Sequence, residues 1–164
     1  RMAPQDQCPD KLPFPQKDSP YCITMEPLVS NLGSPCAEPP WATLDATDLE
    51  SGEILWSVPL GTLEKMVPWP FYHFIEGGIE MGGPMVTAGG LVFIGATSDA
   101  YLRAFDIENG DEVWKADLPA TGNAVPMTYQ YRGQQYVVIA AGGHFTSPLP
   151  SGDYVIAYRL PKSD

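Results

Sequence analysis

Basic residues are scarce. Nine Lys and Arg stand against 20 Asp and Glu, giving a formal charge of −11 with no basic stretch. A nucleic-acid partner needs a positive face for its phosphates, so none is expected. Long apolar runs are missing as well. Nothing approaches the roughly 20 residues that cross a bilayer, and nothing at the start reads as a secretory signal. Because the sequence opens at Arg1 inside a proline-rich stretch, we expect a longer parent that carries any targeting or anchoring segment. Histidine is limited to His73 and His144, 71 positions apart, and the three cysteines, Cys8, Cys22 and Cys36, form no C-x-x-C pair. Metal ligation is therefore not expected from this chain. One disulfide with a cysteine left over, and three free thiols, both remain open. Helical periodicity is also lacking, since no helix-length stretch places apolar residues at i, i+3, i+4 and i+7.

What is present is β-sheet chemistry, with 18 Pro, 16 Gly and 11% aromatic residues. Nine of the prolines fall in residues 1–40. Proline removes a backbone donor and fixes φ, so a central strand is improbable here and the segment is expected to be an extended loop laid over a neighbouring surface. From Trp41 to residue 164, short apolar runs alternate with Gly, Asn and Asp turns. Strands are expected at 42–48, 53–58, 84–88, 91–96, 101–106, 111–117, 126–131, 135–141 and 153–160, joined in a meander by hairpins such as Ala88-Gly89-Gly90, Glu108-Asn109-Gly110 and Tyr131-Arg132-Gly133.

The meander repeats. Ala46, Asp48, Gly52 and Trp56 recur as Ala104, Asp106, Gly110 and Trp114, 58 residues later. Each residue type has a mechanical reason to be in this A-x-D-x-x-x-G-x-x-x-W pattern. Asp can tie down turn N–H groups, Gly takes the positive φ that closes the hairpin, and Trp offers a flat surface to a neighbouring sheet. Fixed-period repetition in an all-β chain points to propeller blades. Residues 84–117 should form one whole four-stranded blade with Trp114 packed on its neighbour. Residues 126–160 should form three strands of another, leaving the 153–160 edge unpaired within the chain and open to self-association.

These motifs resemble the tryptophan-docking repeats of eight-bladed quinoprotein dehydrogenases. Further stretches are similar to the membrane-bound glucose and quinate dehydrogenase branch. They are Leu28-Val29-Ser30-Asn31-Leu32-Gly33-Ser34-Pro35-Cys36 with Pro39-Pro40-Trp41, Gly82-Gly83-Pro84 with Asp99-Ala100-Tyr101-Leu102-Arg103-Ala104, and Ala141-Gly142-Gly143-His144 with Gly152-Asp153-Tyr154. The resemblance covers residues 18–160 and implies the C-terminal part of such a propeller. It departs at Phe145-Thr146-Ser147-Pro148-Leu149-Pro150 and over 65–80, both loops, which are where specificity is set.

The resemblance also implies pyrroloquinoline quinone (PQQ) and Ca²⁺ as cofactors, a sugar or cyclic polyol as substrate, ubiquinone as electron acceptor and a periplasmic location, with membrane attachment only through the missing N-terminal part. The general base and the calcium ligands would belong to earlier blades. No catalytic residue is thus expected here, and the chain alone should be inactive. A scaffold or binding module that keeps the propeller without the site is the competing reading.

Two residues stand out as site candidates. The resemblance places Asp99 towards the cofactor, where it could orient a cation from another blade; a turn-capping role is the alternative. His144 is the first polar side chain after two glycines that end an apolar strand, 136–141, expected to be buried on both faces. By resemblance it meets the substrate. Trp41, Trp56 and Trp114 are expected to pack, while Trp69 and His73 sit in an aromatic loop that either lines a pocket mouth or packs on itself.

Overall fold

The computed structural model describes residues 2–7, 14–15, 18–23, 28–31, 35–79, 81–144, 147 and 149–160. Cys8, 32–34, Phe145, Thr146 and Pro148, all singled out above, lie outside that set. The chain divides into two units, Arg1–Glu38 and Pro39–Asp164.

The first unit corrects the expectation that a central strand is improbable there. Three short strands, β1 (Met2–Pro4), β2 (Phe14–Pro15) and β3 (Tyr21–Ile23), form an antiparallel sheet in the order β1-β3-β2. The prolines Pro4 and Pro15 stand at strand ends, where a missing donor costs least. Cys22, at the centre of the middle strand, is buried and disulfide-bonded, which closes the question of three free thiols. Cys36 is free and exposed.

The second unit is built from β4 (Thr43–Thr47), β5 (Ile54–Pro59), β6 (Met85–Val86), β7 (Leu91–Ile94), β8 (Tyr101–Asp106), β9 (Glu112–Asp117), β10 (Met127–Tyr131), β11 (Gln134–Ala141) and β12 (Tyr154–Tyr158). All nine expected strands are there. They pair as a β4-β5 hairpin, a four-stranded β6-β7-β8-β9 sheet and a three-stranded β10-β11-β12 sheet, antiparallel throughout.

The two repeats have the same local geometry. Asp48 Oδ1 accepts from the N–H groups of Glu50 and Ser51 at 2.8 and 2.9 Å, and Gly52, at φ +75°, donates to the Asp48 carbonyl. Asp106 Oδ1 accepts from Glu108 N–H at 2.8 Å, and Gly110, at φ +77°, donates to the Asp106 carbonyl. Both strands shift register at the same point, after Ala46 and after Ala104. The bulge lets the tryptophan stay opposite the alanine: Trp56 pairs with Ala46 and Trp114 with Ala104.

The middle sheet is covered on both faces. Ala42, Leu44 and Leu60 pack with Val92, Ile94, Ala96 and Phe105 on one side, capped by Trp56 and Val58. Ala100, Leu102 and Leu118 pack with Ile139 and Ala141 on the other. Trp56 closes the first interface. Its Nε1–H donates to the Ile107 carbonyl at 2.9 Å, and its ring lies against Gly110, where a Cβ would come within 2.7 Å of it.

Trp114 is less well covered than expected. It meets the next sheet edge-on at Tyr158, with ring centroids 5.2 Å apart, but stays 38% exposed. The outer edge of β12 has no strand partner among the described residues. The strand before His144 also differs from expectation. Only its Ile139 and Ala141 are buried; on the second face Tyr136, stacked on Tyr129, and Val138 are half-buried and Ala140 is exposed.

Candidate functional site

Antiparallel connection puts the 48–52, 87–90, 107–111 and 132–133 turns at one end of the sheets and the longer loops at the other. Hydrogen bonds tie those longer loops together. Thr62 N–H reaches Asp99 at 2.7 Å, Ser98 N–H reaches the Ile79 carbonyl at 2.9 Å, Asn123 Nδ2 reaches the Met81 carbonyl at 2.9 Å, and Gly143 N–H reaches the Thr121 carbonyl at 2.9 Å. This loop end holds both Asp99 and His144.

Glycines make the close approach possible. A Cβ at Gly122 would meet Ile139 at 2.7 Å, and one at Gly143, which has φ +80°, would meet Ser151 Cα at 2.9 Å. With the backbone drawn in at Gly143, the half-buried His144 is the first polar side chain of the turn; its carbonyl accepts from Ser147 N–H at 2.9 Å.

Asp99 is fully buried, and its carboxylate is saturated. Oδ1 accepts from Thr97 Oγ1 (2.5 Å) and Arg103 Nη1 (3.0 Å), while Oδ2 accepts from Arg103 Nη2 (2.5 Å), Thr62 N (2.7 Å) and Thr62 Oγ1 (3.1 Å). The cation expected from another blade is instead Arg103, four residues further along the chain on β8. Ala100, at φ +55°, turns the chain sharply enough to bring the two together. Burial pushes the Asp99 carboxyl up, but the bonds and charge of Arg103 more than offset this and hold it below the ordinary range. Arg103 is held in turn by Glu112, Nε to Oε2 at 2.9 Å.

A second cluster was not foreseen. Lys65 pairs with Asp117, donates to the Ala100 carbonyl at 3.4 Å and lies 4.1 Å from the centroid of the Tyr101 ring, which Lys115 and Arg103 also face. The Glu64 carboxylate, with lesser contributions from burial and Asp117, pushes the Tyr101 hydroxyl pKa up to about 12.

The remaining candidates stay apart from this network. His73 is exposed and lies against Tyr72 in a tilted ring contact with centroids 4.2 Å apart, and Trp69 is 73% exposed. Among the described residues, no group of three or more His, Cys, Asp and Glu could hold a metal ion. A calcium ligand set is thus not assembled from them, and Asp99 has no lone pair to spare for one.

A signal for the missed network was in the sequence. Arg103 interrupts the apolar run Tyr101-Leu102-Arg103-Ala104-Phe105, and a cation inside a buried strand must have a partner.

Comparison with known proteins adds the following. Residues 2–137 match the family described as PQQ: glucose/ethanol/alcohol dehydrogenase, beta-propeller domain. The quinoprotein glucose dehydrogenase of Escherichia coli K12 is 45% identical over 150 residues, covering 90% of this chain and 19% of that protein. The quinate/shikimate dehydrogenase (quinone) of Acinetobacter baylyi is 46% identical over 153 residues, again covering 90% and 19%. The chain therefore spans about a fifth of the length of these curated relatives. Among solved structures, a quinohemoprotein alcohol dehydrogenase from Pseudomonas putida HK5 superposes with a TM-score of 0.54 at 24% identity, covering 74% of this chain and 18% of that one, a likeness of fold.

Proposed function

Because this chain belongs to the PQQ-dependent glucose/ethanol/alcohol dehydrogenase β-propeller family, we propose that it supplies part of the pocket wall of a PQQ-dependent dehydrogenase that oxidises a sugar or cyclic polyol. The observation that carries the reading is His144, set after two glycines in a loop end drawn together by backbone hydrogen bonds. Glucose and quinate in the names of the relatives favour a polyhydroxylated substrate. When bound, PQQ would take up the hydrogen removed from the substrate alcohol. His144 would orient that substrate, its imidazole exchanging a hydrogen bond with a hydroxyl. Asp99 would act through what it holds, since its oxygens are already engaged. The base and the calcium ligands would come from outside these residues.

A quinone acceptor is favoured by the name of the Acinetobacter relative, and we take it to be ubiquinone. The disulfide at Cys22 favours an oxidising compartment, in keeping with a periplasmic location. No helix among the described residues is long and apolar enough to cross a membrane.

The test is a chimera in which residues 18–160 replace the matching segment of the E. coli glucose dehydrogenase. PQQ-dependent dye reduction with glucose or quinate is expected. His144→Asn in that chimera should raise the apparent KM about tenfold, equivalent to about 1.4 kcal/mol, and lower kcat less. A chimera that folds and binds PQQ yet oxidises no polyol would favour a scaffold role instead.

A further inference from the structure

The loop between β5 and β6 combines a fixed stem with an exposed aromatic tip. At the tip, Trp69, Phe71 and Phe74 are 73%, 62% and 77% exposed, the last two on a 3-10 turn over Phe71–Phe74. Apolar side chains left this open normally belong to segments with few anchors. Here both limbs below the tip are tied. On the returning limb, Gly78 N–H donates to the Leu60 carbonyl at 2.7 Å, Ser98 holds the Ile79 carbonyl through both N–H and hydroxyl, and Met81 N–H donates to the Ala96 carbonyl at 2.8 Å. On the outgoing limb, Leu63 is buried, Thr62 is bound through N–H and hydroxyl to Asp99 Oδ2, and Lys65 is bound to Asp117 and the Ala100 carbonyl.

Within that arrangement the Asp99 carboxylate has one job that its surroundings define. Arg103, buried and forked onto both oxygens, fixes the plane of the carboxylate and is itself braced by Thr97 and Glu112. The oxygen turned away from Thr97 is the one that receives Thr62. We infer that Arg103 and Thr62 are positioning residues: through Asp99 they clasp the outgoing limb of the β5–β6 loop to the start of β8 and so hold the aromatic tip as a fixed rim at the end of the sheets where His144 lies. The role of that rim in substrate selection rests on the placement of the substrate at this end proposed above. The clasp itself can be measured without cofactor or substrate, so its failure leaves that placement standing, and the reverse also holds.

The four tryptophans, Trp41, Trp56, Trp69 and Trp114, allow a direct experiment on the full 164-residue chain. Labelled with 5-fluorotryptophan, it should give one fluorine resonance from each. The decisive variant is Asp99→Val with Arg103→Met, which removes both charges together and avoids leaving one buried alone. The Trp69 resonance should shift or broaden, and amide exchange across residues 60–66 should quicken about tenfold, while Trp56 and Trp114 keep their wild-type positions and so report an intact fold. Thr62→Ser should preserve the wild-type signature and Thr62→Val should move it part of the way. Unchanged Trp69 and unchanged exchange in a folded double variant would overturn the clasp. So would equal disturbance of all four resonances in Thr62→Val, which would make the network a general stability element.

Discussion

Gly52 and Gly110 occupy the same place in the two repeats with nearly the same backbone, φ +75° and +77°, yet a Cβ at Gly52 would meet nothing within 4 Å whereas one at Gly110 would strike the Trp56 ring. Alanine substitution at each therefore separates the backbone cost from the docking cost. The shared part is the left-handed conformation, about 1–2 kcal/mol for an L-residue, reduced by the roughly 0.4–1 kcal/mol that alanine gains by restricting the unfolded chain. Gly52→Ala should then cost about 1 kcal/mol. At Gly110 the new carbon would lie 2.7, 3.0 and 3.1 Å from Cε3, Cδ2 and Cζ3 of Trp56. Ordinary carbon contacts fall at about 3.5–4.0 Å, so the ring must retreat by about 1 Å. That retreat breaks the 2.9 Å bond from Nε1 to Ile107, worth about 1 kcal/mol, and loosens packing worth about as much again. Gly110→Ala should thus cost about 3 kcal/mol in all.

Calorimetry or urea titration of the two variants would measure this. At about 2–4 °C per kcal/mol for a chain of this size, Gly52→Ala should lower Tm by about 2–4 °C and Gly110→Ala by about 6–12 °C. A double-mutant cycle isolates the cause: in a Trp56→Ala background, Gly110→Ala should fall to about 1 kcal/mol, a coupling of about 2 kcal/mol. Equal costs for the two glycines, or no coupling to Trp56, would show that the tryptophan does not dock on the neighbouring turn.

Two titrations follow from the loop end. The folded pKa of Asp99 is depressed, so the stability it contributes is full above the unfolded value of about 3.9 and is lost as pH falls below that towards the folded value; acid unfolding followed by circular dichroism should lose this component in Asp99→Asn. The folded pKa of Tyr101 is raised, so its contribution is full below about 10 and is lost as pH rises towards about 12. Absorbance at the phenolate band should show late-ionising tyrosine, since burial raises Tyr158 as well, and the Tyr101 part of it should return towards the ordinary range in Glu64→Gln.

The strands of the second unit were legible because each residue in A-x-D-x-x-x-G-x-x-x-W acts locally. Asp48 and Asp106 bind their own turns, and Gly52 and Gly110 close them, so the pattern fixes the hairpin without help from distant residues. The first unit was not legible for the opposite reason. Its prolines argue against strands one residue at a time, while β3 is held between β1 and β2 by backbone pairing, and its Cys22 lies in a disulfide whose pairing no spacing reveals. Trp114 marks the boundary between these cases. Its place opposite Ala104 follows from the repeat, but how far it is covered depends on the neighbouring sheet, where it meets the Tyr158 ring.

The same distinction explains the site. That Asp99 and His144 belong at one end follows from counting strands, since each lies after a strand running the same way. What Asp99 does there is decided by a 37-residue separation, Thr62 to Asp99, and by the turn at Ala100 that folds Arg103 back onto it. Neither contact has a periodic signature. A strand pattern would have placed Asp99 and Arg103 four residues apart in an extended chain, about 13 Å at strand spacing and far out of reach. It takes one non-glycine residue at positive φ to make them a bonded pair. Buried charge is the clue that survives in the sequence: an Arg flanked by Leu102 and Ala104 demands a carboxylate, and Asp99, just before the strand, is close enough to answer if the chain turns. The position of a carboxylate in a family motif therefore says less about its role than the number of its lone pairs already in use, and at Asp99 all of them are.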